Sequence, residues 1–339
     1  MSRARDFSKS VAETLVSGTT AARPGSPSEG QIRFNTDIAK YEGYSHGFWR
    51  ALRTEEVVDN KTAARFTFSA TDQSWVVPSG ITKILVKAWA GGGGGGHFGG
   101  WTQGSHGGGA GFSKATLTVT PGETLTLRVP RGGFAFPGAT NAPFGGGSST
   151  VGGDNQYGAG GGGYCGVFRS TTPLIIAGAG GGGGSTLSYQ GMANGGAGGG
   201  LTGKKADVAR NYWTSAGKGG TQTAGGAATV GDNQNGQAGS SLQGGSCVGN
   251  PYGGGGGGGY FGGSAGAYTG GNSMPGGGGG SGYIISSALN PIMISGSFRT
   301  PGGVDDIDYP YGTSSTYGDV GFGGVSGNHG GDGHLVIWY

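Results

Sequence analysis

All but six of the 88 glycines in this chain lie from Gly91 onward, where about a third of the residues are glycine, against about 7% in ordinary proteins. Glycine buries no side chain and loses more backbone freedom on folding than any other residue. A segment so composed either stays disordered, as a low-complexity spacer would, or orders through its backbone. Two features favour order. Strand-like apolar segments flank the region, the last being Leu335-Val-Ile-Trp-Tyr, and the interruptions between glycine runs are rich in aromatic residues rather than serine.

The longest glycine runs cover residues 91–96, 160–163, 180–184, 253–259 and 276–280. In a polyproline-II conformation a chain turns every three residues, rises about 3.1 Å per residue and makes no internal hydrogen bonds. Its amides and carbonyls point sideways, and parallel neighbours can satisfy them all round only where no side chain intervenes. The expected fold class is therefore mainly β: a short N-terminal helix, a small β repeat, and a glycine-rich β-sandwich-like domain carrying polyglycine-II helices. Each hydrogen bond contributes about 1 kcal/mol net, against about 1–2 kcal/mol to order one residue's backbone. Such a lattice needs neighbours on several sides.

Composition excludes several classes. Of the 339 residues 33% are hydrophobic and 12% charged, too few for a large conventional core. The glycines follow no strict every-third-residue rule and there are 13 prolines, which excludes collagen. The net charge of +3 is dispersed, Lys204-Lys205 being the densest basic spot in the glycine region, so no nucleic-acid surface is expected. No apolar run approaches the roughly 20 residues of a membrane helix, and Met1-Ser-Arg-Ala-Arg-Asp lacks the apolar core of a signal peptide. Synthesis and assembly in a cytoplasm follow as the expectation. Cys165 and Cys247 read as free thiols, with pairing left open.

The chain reads as three parts. In residues 1–30, Phe7, Val11 and Leu15 recur at four-residue spacing and predict a helix over 2–16, followed by a polar, proline-punctuated linker over 17–30. The helix packs on the next segment, or it self-associates or docks on a particle. Residues 31–64 hold three short strands around Phe34, Tyr41, Tyr44 and Trp49, a unit small enough to need copies of itself. These aromatics and the helix stripe are the candidate oligomerisation and anchoring residues. Residues 65–339 open with strands at Arg65-Phe-Thr-Phe-Ser, Gln73-Ser-Trp-Val-Val and Lys83-Ile-Leu-Val-Lys-Ala-Trp. Ala115 to Val119 and Leu125 to Val129, joined by Pro121-Gly-Glu, predict a hairpin; Pro173-Leu-Ile-Ile-Ala predicts a buried strand. The first and last strands of this part are expected to pair, since each otherwise leaves an open edge.

Two of these parts resemble known families. Pro24-Gly-Ser-Pro-Ser-Glu-Gly-Gln-Ile-Arg-Phe-Asn-Thr-Asp, with Tyr41-Glu-Gly-Tyr and Gly47-Phe-Trp-Arg-Ala, resembles a short β repeat of tailed-bacteriophage fibres. Arg3-Ala-Arg-Asp-Phe is similar to the start of some fibre proteins of marine and cyanobacterial phages. Val77-Pro-Ser-Gly, the strand from Lys83 to Trp89, the threonine-rich segment from Ala115 to Val129, and Gly331-Asp-Gly-His-Leu-Val-Ile-Trp resemble the glycine-rich β domains of phage and bacterial surface proteins. The composition is similar to the polyglycine-II adhesins of some T-even-like phages. The resemblance implies a virion appendage, a homotrimer joined to other virion proteins through its N-terminal segment, and a glycine-rich domain that meets a host surface glycan or outer-membrane receptor.

On that reading the interruptions are variable loops. Trp101, Tyr157, Tyr189, Tyr212, Trp213, Tyr252, Tyr260, Tyr268, Tyr309 and Tyr311 are the candidate ligand-binding aromatics, because aromatic faces stack on sugar rings and dominate contact sites. The alternative is that they plug gaps between glycine helices or subunits. No Gly-x-x-x-x-Gly-Lys-Ser/Thr phosphate loop occurs. His97, His106 and the acids from Asp305 to Asp308 lack metal-ligand spacing, and between Glu123 and Asp305 the acids are Asp154, Asp207 and Asp232, few for a glycosidase pair. Neither cofactor, metal nor catalytic residue is expected. A non-enzymatic phage fibre is the leading reading; a purely architectural appendage and a glycan depolymerase are the competitors.

Overall fold

A computed structural model describes residues 16–38, 40–45, 47–51, 62–98, 105–135, 141–149, 156–185, 193–207, 215–231, 235–247, 253–268, 274–311 and 319–339. The chain divides into two compact units, Met1–Val57 with Val304–Tyr311, and Val58–Gly303 with Gly312–Tyr339. The first unit thus takes eight residues that sequence reading assigns to the glycine-rich part.

In the first unit β1 (Val16–Gly18), β2 (Ile32–Asn35), β3 (Lys40–Ser45) and β4 (Phe48–Ala51) form one sheet in that order. The helix expected over 2–16 lies outside the described residues except for its end. There Val16 is strand, and β1 pairs parallel to β2 from Val16 opposite Arg33 to Gly18 opposite Asn35. A β-branched residue beside an open strand edge gains a ladder that a frayed helix end does not offer. Strand alternation divides the aromatics expected to act together. Phe34 and Tyr41 sit opposite one another with rings 5.1 Å apart, while Tyr44 and Trp49 pair on the other face. That second face is polar at its centre. Glu42, fully buried, accepts hydrogen bonds from Arg23 Nη2 at 2.7 Å and Asn35 Nδ2 at 3.0 Å, and lies 3.5 Å from Arg33 Nε. Burial alone would raise the Glu42 carboxyl, but the Arg23 and Asn35 hydrogen bonds and the two guanidinium charges bring it below the usual range.

The second unit is rooted on two five-stranded sheets. β5 (Ala63–Phe66), β7 (Lys83–Trp89), β9 (Phe112–Thr118), β15 (Leu289–Ile294) and β16 (His334–Trp338) form one, in the order β15-β9-β7-β16-β5. β6 (Gln73–Val76), β10 (Thr124–Arg128), β12 (Cys165–Arg169), β13 (Thr172–Ala177) and β14 (Tyr283–Ile284) form the other, in the order β14-β13-β12-β10-β6. β5 and β16 pair antiparallel, as the open-edge argument requires. The expected hairpin does not form. β9 pairs with β7 and β15, whereas β10 pairs with β6 and β12 in the opposite sheet. Leu117 and Val119 share one core with Leu125 and Leu127, so the chain crosses between layers at Gly122 (φ 82°) to bury both sets. Ile84, Val86, Leu335 and Ile337 from one sheet and Val167 and Ile175 from the other complete that core. The outer side of β7 is buried too, Trp89 lying 4.6 Å from Phe112 and donating its Nε1–H to the Gly303 carbonyl.

Between β strands the glycine runs leave the sandwich and return as extended segments joined sideways. The segment 179–184 shows the pattern. Its amides at 179 and 182 donate to 258 and 255, those at 180 and 183 to 91 and 94, and those at 181 and 184 to 196 and 193. Its carbonyls accept from 280 and 277, from 162 and 159, and from 108. Every third residue addresses the same neighbour, the signature of a three-residue turn, and neighbours stand on six sides. The runs 91–96, 253–258 and 276–280 are bonded with the same period. None of these glycines has a positive φ; glycine is demanded by closeness. A Cβ on Gly93, Gly181 or Gly277 would stand 2.0–2.1 Å from a neighbouring carbonyl oxygen. The mainly-β, polyglycine-II architecture expected from the sequence is the one observed.

Candidate functional site

The lattice has two unlike ends. At the sandwich end, turns such as Ser240 to Gln243 bring the chain around, and Tyr164, Phe168 and Ile176 form a second cluster with Phe144, Leu242, Tyr260 and Tyr283 against it. Arg128 ties this layer down, donating to the Tyr164 hydroxyl at 2.6 Å and to both oxygens of Asp72, with Phe168 4.5 Å below its guanidinium. Tyr260 belongs here, stacked on Tyr283 at 4.2 Å.

At the far end of the lattice serine hydroxyls take backbone groups, two carbonyls and one amide. Ser185 donates to the His97 carbonyl, Ser326 to that of Gly96, and Ser105 accepts the Ala193 amide at 2.8 Å. β8 (His97–Phe98) and β11 (Gln156–Tyr157) pair across it, with the His97 and Tyr157 rings stacked 12° from parallel.

Among the candidate ligand-binding aromatics, Trp101, Tyr189, Tyr212, Trp213 and Tyr252 lie outside the described residues, as do Phe7, Val11 and Leu15. Tyr157 is at the far end but buried, and Tyr268 is half-buried. Tyr309 and Tyr311 belong to the first unit, where Tyr311 stacks on Phe48 at 5.1 Å and donates to the Val304 carbonyl. Among the described candidates, Tyr260 lies at the sandwich end and Tyr157 at the far end, while Tyr309 and Tyr311 belong to the other unit.

The structure brings together a group that sequence reading did not single out as a site. On the lattice flank near the far end, Lys204, Lys205, Asp207, Ser297 and Phe298 line a cavity of about 190 Å³ floored by the backbone of 195–197 and 296. Asn194 Nδ2 donates to Asp207 Oδ2 at 3.0 Å, and Asn194 Oδ1 accepts the His106 amide at 2.9 Å. Phe298 is 53% exposed and has φ 51°, a left-handed conformation that costs a non-glycine residue about 1–2 kcal/mol. Burial, helped by the Arg299 charge, pulls His106 below its usual value. Nothing in the periodicity around Ser297-Phe-Arg-Thr marks it as more than a turn. Among the described residues no His, Cys, Asp and Glu group is placed to hold a metal, and no helix is long and apolar enough to cross a membrane. Cys165 and Cys247 are buried free thiols, burial pushing Cys247 up to about 12.

A family model described as a glycine-rich domain matches residues 67–289. No curated protein matches the chain.

Proposed function

Because the chain belongs to the glycine-rich domain family, we propose that it is a non-enzymatic phage fibre whose glycine-rich domain recognises a host-surface polysaccharide. The observation that carries this reading is the polarity of the lattice. One end is rooted in a packed sandwich, and at the other serine hydroxyls close the glycine segments beside the paired His97 and Tyr157; in the sequence Trp101, Tyr189, Tyr212, Trp213 and Tyr252 fall between these segments. A backbone lattice with neighbours on six sides sets the spacing of the segments it joins, and a preset spacing lowers the ordering cost of binding. The first unit, with apolar Ile32, Tyr41 and Phe48 more than a third exposed, serves for trimerisation and attachment to the particle. Three copies then multiply weak contacts into avidity.

The test is binding of the labelled full chain to an array of bacterial surface polysaccharides, beside a Tyr212→Ala/Trp213→Ala variant. Saturable binding that the variant loses supports recognition. A folded wild type that binds no glycan on the array sinks it, and the purely architectural appendage takes its place.

A further inference from the structure

We infer that the flank groove lined by Lys204, Lys205, Asp207 and Phe298 is a binding site for one anionic sugar unit, such as a uronic acid. This rests on the polysaccharide reading above and assigns it a place and a charge.

The cavity, about 190 Å³, is smaller than the roughly 300–1,000 Å³ of pockets for drug-sized ligands and suits a single ring. Phe298 is its platform. An aromatic ring held in solvent in the left-handed region is doubly unfavourable, and such strain persists where surrounding structure over-determines it, as it does at ligand sites. Here the over-determination is visible. Ser297 and Thr300 exchange reciprocal backbone hydrogen bonds at 2.9 Å around the turn, and the Gly109 amide donates to the Phe298 carbonyl at 2.7 Å. The His106 ring meets the Phe298 ring edge-on, centroids 5.5 Å apart and planes at 86°. Across the groove Asp207 is oriented by Asn194, which also holds the His106 amide. Platform and carboxylate are thereby tied to one hydrogen-bonded support.

The chemistry of the lining selects the ligand. A sugar ring has an apolar C–H face for Phe298 and hydroxyls that donate to a carboxylate such as Asp207. The lining carries two exposed lysines and one aspartate, so a sugar that adds an anionic group to its hydroxyls matches more of it than a neutral one. A bare inorganic anion would leave the aromatic platform without a use, and an apolar ligand would waste all three charges.

Calorimetric titration of the full chain with polygalacturonate, alginate and hyaluronan, and with dextran and sodium sulfate as controls, tests this. At least one acidic polymer is expected to bind ten or more times tighter than dextran. Phe298→Gly, which suits φ 51°, is expected to weaken that binding at least tenfold without lowering the melting temperature. Lys204→Gln/Lys205→Gln is expected to erase the preference over dextran. Undiminished binding in Phe298→Gly, or sulfate binding as tightly as the polymers, overturns the groove assignment while leaving surface recognition elsewhere intact. A wild type that binds none of these polymers yet binds glycans on the array also overturns the groove alone; silence in both overturns both readings.

Discussion

Gly277→Ala should cost far more than an ordinary glycine-to-alanine change. The added Cβ would lie 2.1 Å from the Gly255 oxygen and 2.4 Å from its carbon, where carbon–oxygen contacts settle at about 3.3 Å or more. Something must move by about an ångström, and both partners are held. If residue 255 yields, the Gly182 amide loses the Gly255 carbonyl and the Gly255 amide loses that of Ala159, bonds of 2.8 and 2.9 Å. If residue 277 yields, its bonds to the Gly182 carbonyl and from the Gly196 amide, both 2.9 Å, are lost instead. Either route breaks two buried hydrogen-bonded pairs, at about 1–3 kcal/mol for each pair, so the total is about 2–6 kcal/mol. For a unit of this size that lowers the melting temperature by about 5–20 °C. Gly25, with nothing within 4 Å of its Cβ position and no positive φ, is the control; Gly25→Ala should be neutral or stabilising by up to about 1 kcal/mol. Calorimetric melting of both variants beside the wild type decides. A Gly277→Ala midpoint within about 3 °C of wild type would refute the claim that backbone contact, rather than flexibility, is what demands glycine here.

Two further predictions have opposite pH signs. The Glu42 carboxyl titrates below its unfolded value, so its contribution is present above about pH 4.3 and lost as pH falls through the folded pKa; Glu42→Gln should cost about 3 kcal/mol or more at pH 7 and much less at pH 3, read by hydrogen exchange of the β2–β4 amides. Asp332 is raised, chiefly by burial, so the stability it allows is full below about pH 3.9 and falls as pH rises through the folded pKa. Asp332→Asn, whose Oδ1 can still accept the Gly132 amide, should therefore melt higher than wild type at pH 7 and level with it near pH 3; a lower midpoint at pH 7 would contradict the assignment.

Much of the fold is legible in the residue pattern. Lys83 to Trp89 alternates and is β7, Pro173 to Ala177 is apolar and lies in β13, and the first and last strands of the glycine-rich part pair. Alternation states which residues share a face. It does not state which strand lies alongside which, and so Ala115 to Val119 and Leu125 to Val129 read as neighbours although they face each other across the core. The candidate site was less legible. Residue type marks Tyr260 and Tyr311 as equally fit for a ligand, and only packing shows them stacked on Tyr283 and Phe48.

The sequence by itself determined that this chain would order through its backbone. Runs of glycine between apolar strands leave sideways amides and carbonyls, and only a lattice of like segments satisfies them. Tertiary structure decided which segments become neighbours, because glycine runs are interchangeable and carry no address. It also decided where function can sit. Phe298 is about 90 residues from Asp207 and the lysine pair in the chain and meets them only because the lattice sets 193–207 beside 296–298.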